Sequence, residues 1–168
     1  MFSVIRASQS LMGDVRACIN TNYDLYEPIV DPVDLQEHFV DEAWAERNFA
    51  IREFYLGRDS DLGRFVDMAS YQNLGEFAYI GYFYVQREFQ RQGYGRAMMG
   101  FLEMRAKYDN LSDLRLFCHP KSTWAREFYT ACGFHVLTAD KGEIIALNDG
   151  VMAPFYEQDS LFLQKELQ

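Results

Sequence analysis

Gln90-Arg91-Gln92-Gly93-Tyr94-Gly95-Arg96 follows the aromatic run Phe83-Tyr84-Val85 and leads into Tyr94, Met98, Phe101 and Leu102, which recur at helical spacing. The segment therefore joins a strand to a helix. At such a junction the first backbone N–H groups of the helix lack partners and the dipole end is positive, so an anion is attracted. Gly93 and Gly95 allow the backbone to bend and to approach a phosphate with no Cβ in the way. Arg91 and Arg96 add positive charge to a chain whose acidic residues outnumber its basic ones by 25 to 16. A dinucleotide fold would need its third glycine three residues after Gly95, and the next one is Gly100. A P-loop would need Gly-Lys followed by Ser or Thr, which is absent. A Gly-x-Gly that only shapes a turn is the plain alternative.

Working outward, the chain opens with an alternating run, Phe2, Val4 and Arg6, before Ser10, a candidate cap for a helix with Leu11, Val15, Cys18 and Ile19 on one face. Asp31-Pro32 predicts a second helix running to about Arg47, with Asp31 as N-cap and Leu35, Phe39, Ala43 and Trp44 on its buried stripe. Three β-rich runs, 49–56, 64–71 and 76–85, are separated by turn-forming stretches and predict an antiparallel meander. Beyond the third helix, 114–117 reads as a strand, Ser122 as the cap of a helix through about Ala131, and 134–137 and 161–163 as closing strands. The strand–helix–strand step across 79–117 predicts a right-handed crossover between parallel neighbours. Met98, Met99 and Met104 are expected in the core. The segment 139–160 is too long for a hairpin loop and is expected to border a cleft.

A second motif lies downstream. Ser122, Ala125, Phe128-Tyr129 and Gly133-Phe134 carry the spacing of Asn-x-x-Ala-x-x-Leu-Tyr-x-x-x-Gly-Phe. Together with Gln-x-x-Gly-x-Gly at 90–95, this resembles the GNAT superfamily of acyl-CoA-dependent N-acetyltransferases, over about residues 79–134. The resemblance implies an α/β fold, with a mixed, mostly antiparallel sheet of about seven strands flanked by about four helices. It implies acetyl-CoA as cosubstrate, with the backbone of Phe83, Tyr84 and Val85 pairing with the pantetheine arm and the Val85 N–H facing the oxyanion. The loop from Gln90 through Arg91, Gln92, Gly93, Tyr94 and Gly95 to Arg96 would hold the pyrophosphate, and Ser122 and Phe128 fall among the cofactor-binding positions. Tyr129 would protonate the departing thiolate, a task that suits a phenol. Two positions depart from the pattern. Ser122 replaces Asn and has helix capping as its other role, and Phe117 stands where protein N-terminal acetylases carry a Glu base. The base is thus open among Glu76, Tyr79, Tyr82 and His119, or a water chain ending on one of them.

The expected reaction is direct transfer of an acetyl group to a primary amine in a ternary complex. The acceptor would be a small molecule or a peptide amine. The net charge of −9 argues against nucleic acid and favours a cationic acceptor, drawn to a mouth near Glu76, Asp140, Glu143, Asp149, Glu157 and Asp159. A non-catalytic CoA-binding module or sensor of the same fold is the alternative. Cys18, Cys118 and Cys132 lack metal-ligand spacing and are read as small buried hydrophobes, so a reduced, metal-free, cytoplasmic protein is expected, compatible with a homodimer. No linker or repeat divides residues 1–168, and no segment is apolar enough for the bilayer, so one domain without membrane contact is expected.

Overall fold

In a computed structural model that describes residues 1–168, strand β1 (Phe2–Arg6) pairs antiparallel with β2 (Glu53–Asp59), and β2 with β3 (Arg64–Asn73). The turn between β2 and β3 is tied by Asp59, whose Oδ1 accepts the Asp61 and Leu62 amides at 2.9 and 3.1 Å. The strand expected over 76–85 is broken in two. Its first part, β4 (Ala78–Tyr79), lies between β3 and β6 (Asp113–Cys118), antiparallel to the first and parallel to the second. Its second part, β5 (Phe83–Val85), pairs with β3 alone. Ser70 on β3 sits opposite the break, and its Oγ accepts the Gly81 and Tyr82 amides at 3.1 and 2.9 Å. The Arg52 guanidinium packs against Gly81, where a Cβ would come within 2.1 Å of Nη1 and displace it. The sheet continues from β6 to β8 (Leu161–Glu166) and β7 (His135–Thr138), both antiparallel steps, giving eight strands in place of seven.

Six α-helices flank the sheet: α1 (Met12–Asn20), α2 (Tyr23–Tyr26), α3 (Glu42–Phe49), α4 (Tyr94–Tyr108), α5 (Thr123–Ala131) and α6 (Lys141–Ala146). Helix α1 buries Val15, Cys18 and Ile19 as its spacing predicts, although Ser10 lies in a 3-10 turn and Leu11 takes the N-cap position. The helix expected from Asp31 does not form. Asp31 Oδ1 accepts the Val33 amide at 2.9 Å, closing an Asx turn, and Asp41 caps α3 instead, accepting the Trp44 amide at 2.8 Å. A short 3-10 turn, Leu35–Glu37, lies between. This interruption reverses the expected facing, so that Phe39 is exposed while His38 and Val40 are buried.

Helix α4 makes the crossover from β5 to β6 and packs Met98, Met99, Leu102 and Ala106 into a core with Ala69, Tyr71, Leu114 and Leu116. Met104, expected inside, is exposed. On the opposite side, α1 and α3 cover Phe54, Leu56, Met68, Tyr82 and Tyr84. Between β7 and β8, α6 and two 3-10 turns bury Ile144 and Met152 against Phe77, Tyr79 and Phe162. No helix is long and apolar enough to cross a membrane.

Candidate active site

Because β4 pairs with β6 but β5 does not, the two middle strands diverge after Ile80, whose amide still donates to the Arg115 carbonyl at 2.9 Å. A cleft opens at the divergence. Ser70 N donates to Tyr82 O and Gln86 N to Val66 O, each at 2.8 Å, which fixes the alternation along β5. The backbone groups of Tyr84 therefore face β3, while those of Phe83 and Val85 face the gap. The Val85 carbonyl is already engaged by the side-chain amides of Asn22 at 3.0 Å and Gln90 at 3.3 Å. The Phe83 amide and carbonyl and the Val85 amide point into the gap.

The loop after β5 has left-handed backbone at Arg91 (φ 65°) and Gly93 (φ 90°) immediately before α4. Such turns point successive amides to one side, and the 15 residues of α4 add their dipole, so the loop has the form of an anion cradle. The two glycines serve different ends. A Cβ on Gly93 would meet nothing within 4 Å, so that residue is required by its φ, whereas a Cβ on Gly95 would press at 3.3 Å on Phe128 and on Val85 Cγ2. Phe128 in turn lies on the Phe83 ring, with centroids 5.5 Å apart. The other side chains here have structural partners: Tyr94 donates to Asp59 at 2.7 Å, Gln90 to Asn22 at 2.7 Å, and Gln92 to the Glu88 carbonyl at 3.1 Å. Arg91 and Arg96 remain exposed.

Of the candidate residues, Tyr79, Tyr82, Phe83, Tyr84, His119, Ser122 and Tyr129 line the cleft. Tyr129 is buried, and burial raises its phenol well above the ordinary range, which keeps it a neutral proton donor. Ser122 does not cap α5; its buried Oγ has no hydrogen-bond partner within the chain. A buried orphan hydroxyl beside an open strand edge suits a ligand that brings its own polar groups. The thiol of Cys118, also lining the cleft, is pushed up to about 12 by burial and stays protonated, unsuited to nucleophilic attack.

The expected bases fare differently. Glu76 is exposed in the loop before β4, bonded to Asn148 Nδ2 at 2.9 Å, and is not part of the cleft. Tyr79 lines it, but burial raises its phenol strongly. The Tyr82 hydroxyl is committed, accepting from Trp44 Nε1 at 3.0 Å and donating to Glu37. His119 Nδ1 accepts the Lys121 amide at 3.1 Å, which places the ring proton on Nε2 and leaves the neutral ring no free lone pair. Burial also lowers its pKa. Of the acidic residues expected at the mouth, Glu157 lines the cleft; Asp140 instead caps α6 and Glu143 accepts from Thr138.

Two further groups in the cleft, Tyr26 and His38, escape a reading of motifs. Tyr26 stacks on His38 at 4.0 Å, His38 Nδ1 lies 2.6 Å from the Tyr84 hydroxyl, and His38 Nε2 lies 3.7 Å from Glu157.

A sheet opened between its middle strands, with an anion cradle at the head of the following helix, defines a class of protein that comparison identifies. The profile of the acetyltransferase (GNAT) family matches residues 19–134, and the chain belongs to that family. A GNAT acetyltransferase from Staphylococcus aureus is similar over 100% of both chains, with 15% identity and a TM-score of 0.75. The PaiA N-acetyltransferase from Thermoplasma acidophilum, solved in complex with coenzyme A, is similar over 99% of both chains, with 13% identity and a TM-score of 0.74. A GNAT family acetyltransferase from Elizabethkingia anophelis with acetyl-CoA bound is similar over 99% of this chain and 98% of its own, with 15% identity and a TM-score of 0.66. No curated protein gives a significant sequence match.

Proposed function

We propose that the protein transfers an acetyl group from acetyl-CoA directly to a primary amine on a cationic small molecule or peptide. The observation that carries this reading is the open inner edge of β5, flanked by the glycine loop at one end and by Tyr129 across the cleft. An extended pantetheine arm would add itself to that edge through the Phe83 and Val85 backbone groups, its pyrophosphate received by the amides of residues 91–96. Ser122 Oγ supplies a polar group along the arm, and Phe128 holds the Phe83 ring against it. The Val85 amide then faces the thioester oxygen, and Tyr129 gives its proton to the sulfur as the C–S bond breaks. The similar proteins from T. acidophilum and E. anophelis, which hold coenzyme A and acetyl-CoA, support this assignment.

The acceptor side of the cleft supports a cation. Tyr26, Tyr79, Tyr82 and Tyr84 line it beside the Glu157 carboxylate, and although Arg52 already lies over the Tyr82 ring, 5.0 Å from its centroid, the other aromatic faces and the carboxylate suit an ammonium group. Acetyl-CoA at 100 times its Kd should stabilise the fold by about 2.7 kcal/mol. Thiol release should then appear with one or more members of a panel of polyamines, aminoglycosides, amino acids and peptide N-termini. A thermal shift without turnover across the panel would indicate a non-catalytic CoA-binding module; no shift at millimolar acetyl-CoA would overturn the reading altogether.

A further inference from the structure

We propose that His38 is the base that deprotonates the acceptor amine, acting through the Tyr84 hydroxyl and held by Glu157. The inference rests on the acetyltransferase reading and assigns the one role that the motifs leave without a residue. His38 reaches the cleft only because the chain breaks from helix after Glu37, and it is buried there. Its two ring nitrogens face different partners, Nδ1 toward Tyr84 Oη at 2.6 Å and Nε2 toward Glu157 Oε2 at 3.7 Å. Nε2 makes no hydrogen bond within the chain and faces an acceptor-only carboxylate, and the relay uses the tautomer with its proton on Nε2, which keeps the Nδ1 lone pair for the phenol. Tyr26 covers one face of the ring and fixes its plane. Besides Tyr26, Tyr84 and Glu157, the charged or titratable groups around His38 include Asp34, whose Oδ2 accepts the Gln158 amide, Glu37, which accepts from Tyr82, and, lining the same cleft, His119, Cys118, Tyr79, Tyr82 and Tyr129.

The step balances. An ammonium N–H bond breaks and its proton passes to Tyr84 Oη as the Tyr84 O–H proton passes to His38 Nδ1. Tyr84 is never left as a phenolate, which its burial would oppose, and the imidazolium that forms faces the Glu157 carboxylate. The freed amine attacks the thioester carbon, and the C–S electron pair leaves on sulfur and takes the Tyr129 proton. The second nitrogen proton replaces the one Tyr129 gave up, and the imidazolium returns its own to solvent, for a net release of one proton per turnover. His38 acts through Tyr84, so it is a positioning and relay residue; Tyr84 is the group that would meet the amine.

The test uses the full chain with whichever panel amine turns over, and reads kcat/KM against pH. Wild type should show an enzyme limb in addition to the amine's own ionisation, and that limb should vanish in both His38→Ala and Tyr84→Phe. Each variant should lose about 10²-fold in kcat/KM or more, as expected of acid–base catalysis. Added imidazole should restore part of the His38→Ala activity and none of the Tyr84→Phe activity. The acetyl-CoA thermal shift should be unchanged in both, which shows that they fold and keep the cosubstrate site. Retention of the enzyme limb in a folded His38→Ala would overturn the relay while leaving the acetyltransferase assignment standing. Absence of turnover by wild type with every amine would remove both.

Discussion

Tyr129 and Asp67 show how burial can serve opposite ends. For Tyr129 it keeps the phenol neutral, the form that the proposed proton transfer to sulfur requires. Tyr129→Phe keeps the ring against Phe128 and Phe134 and removes the hydroxyl alone, so kcat should fall by roughly 10² to 10⁴ while the acetyl-CoA thermal shift persists. An unchanged kcat would take Tyr129 out of the chemistry. Asp67 on β3 is fully buried with no side-chain partner, and burial pushes its carboxyl up to about 8 against the smaller, lowering effect of the Gly57 backbone amide. The folded protein keeps this proton while the unfolded chain loses it above the ordinary carboxylate pKa of about 3.9. Stability should therefore fall as pH rises from there to about 8, by about 1.4 kcal/mol per pH unit, and level off beyond. Asp67→Asn should flatten the slope, its Tm advantage over wild type growing from about pH 5 to about pH 8. A gap that does not widen would show that the carboxyl is ionised in the fold. Gly57 is bound to the same residue, since a Cβ there would come within 1.9 Å of Asp67 Oδ1.

Among the elements, those with regular periodicity and local punctuation were legible in the sequence. The stripe of α1, the span of β3 and the strand-to-helix junction at α4 follow from spacing, turn residues and glycines. The glycine loop and the Phe128-Tyr129 segment could likewise be found, because their chemistry is written in consecutive residues. What escaped depends on partners distant in sequence. Residues 76–85 look like one strand and become two, since β6 pairs with the first half while the second half is held by β3 alone. Asp31-Pro32 has the form of a helix start, yet its carboxylate closes a turn, and His38 thereby exchanges places with Phe39. His38 carries no motif; only the meeting of three segments around Tyr84 gives it a role. The loop itself yields a prediction. Gly93→Val would force a branched residue into left-handed backbone, at a cost of about 1–3 kcal/mol in stability, and should abolish the acetyl-CoA thermal shift. A folded Gly93→Val with undiminished shift would contradict the cradle.

At the scale of the whole molecule, the acidic excess matters through its distribution. Arg91 and Arg96 stand at one end of the cleft and Glu157 at the other, so opposite charges mark the two entrances proposed for cosubstrate and acceptor. If the acceptor is steered by this field, kcat/KM for a cationic amine should decline as ionic strength rises from about 0.1 M to about 1 M, where the Debye length shrinks from about 10 Å to about 3 Å. A neutral amine should be nearly indifferent, and equal responses would dismiss steering.

The unfilled edge of β5 also sets a clock for solvent. Hydrogen bonding on alternate sides means that neighbouring amides along one short strand live under different protection. In the free protein, deuterium should replace the amide protons of Phe83 and Val85 quickly, while that of Tyr84, held by β3, should exchange slowly. Loading with acetyl-CoA should slow the first two and leave the third almost as it was. The cosubstrate would thus act as a temporary strand, its arrival recorded by two amides and ignored by the one between them.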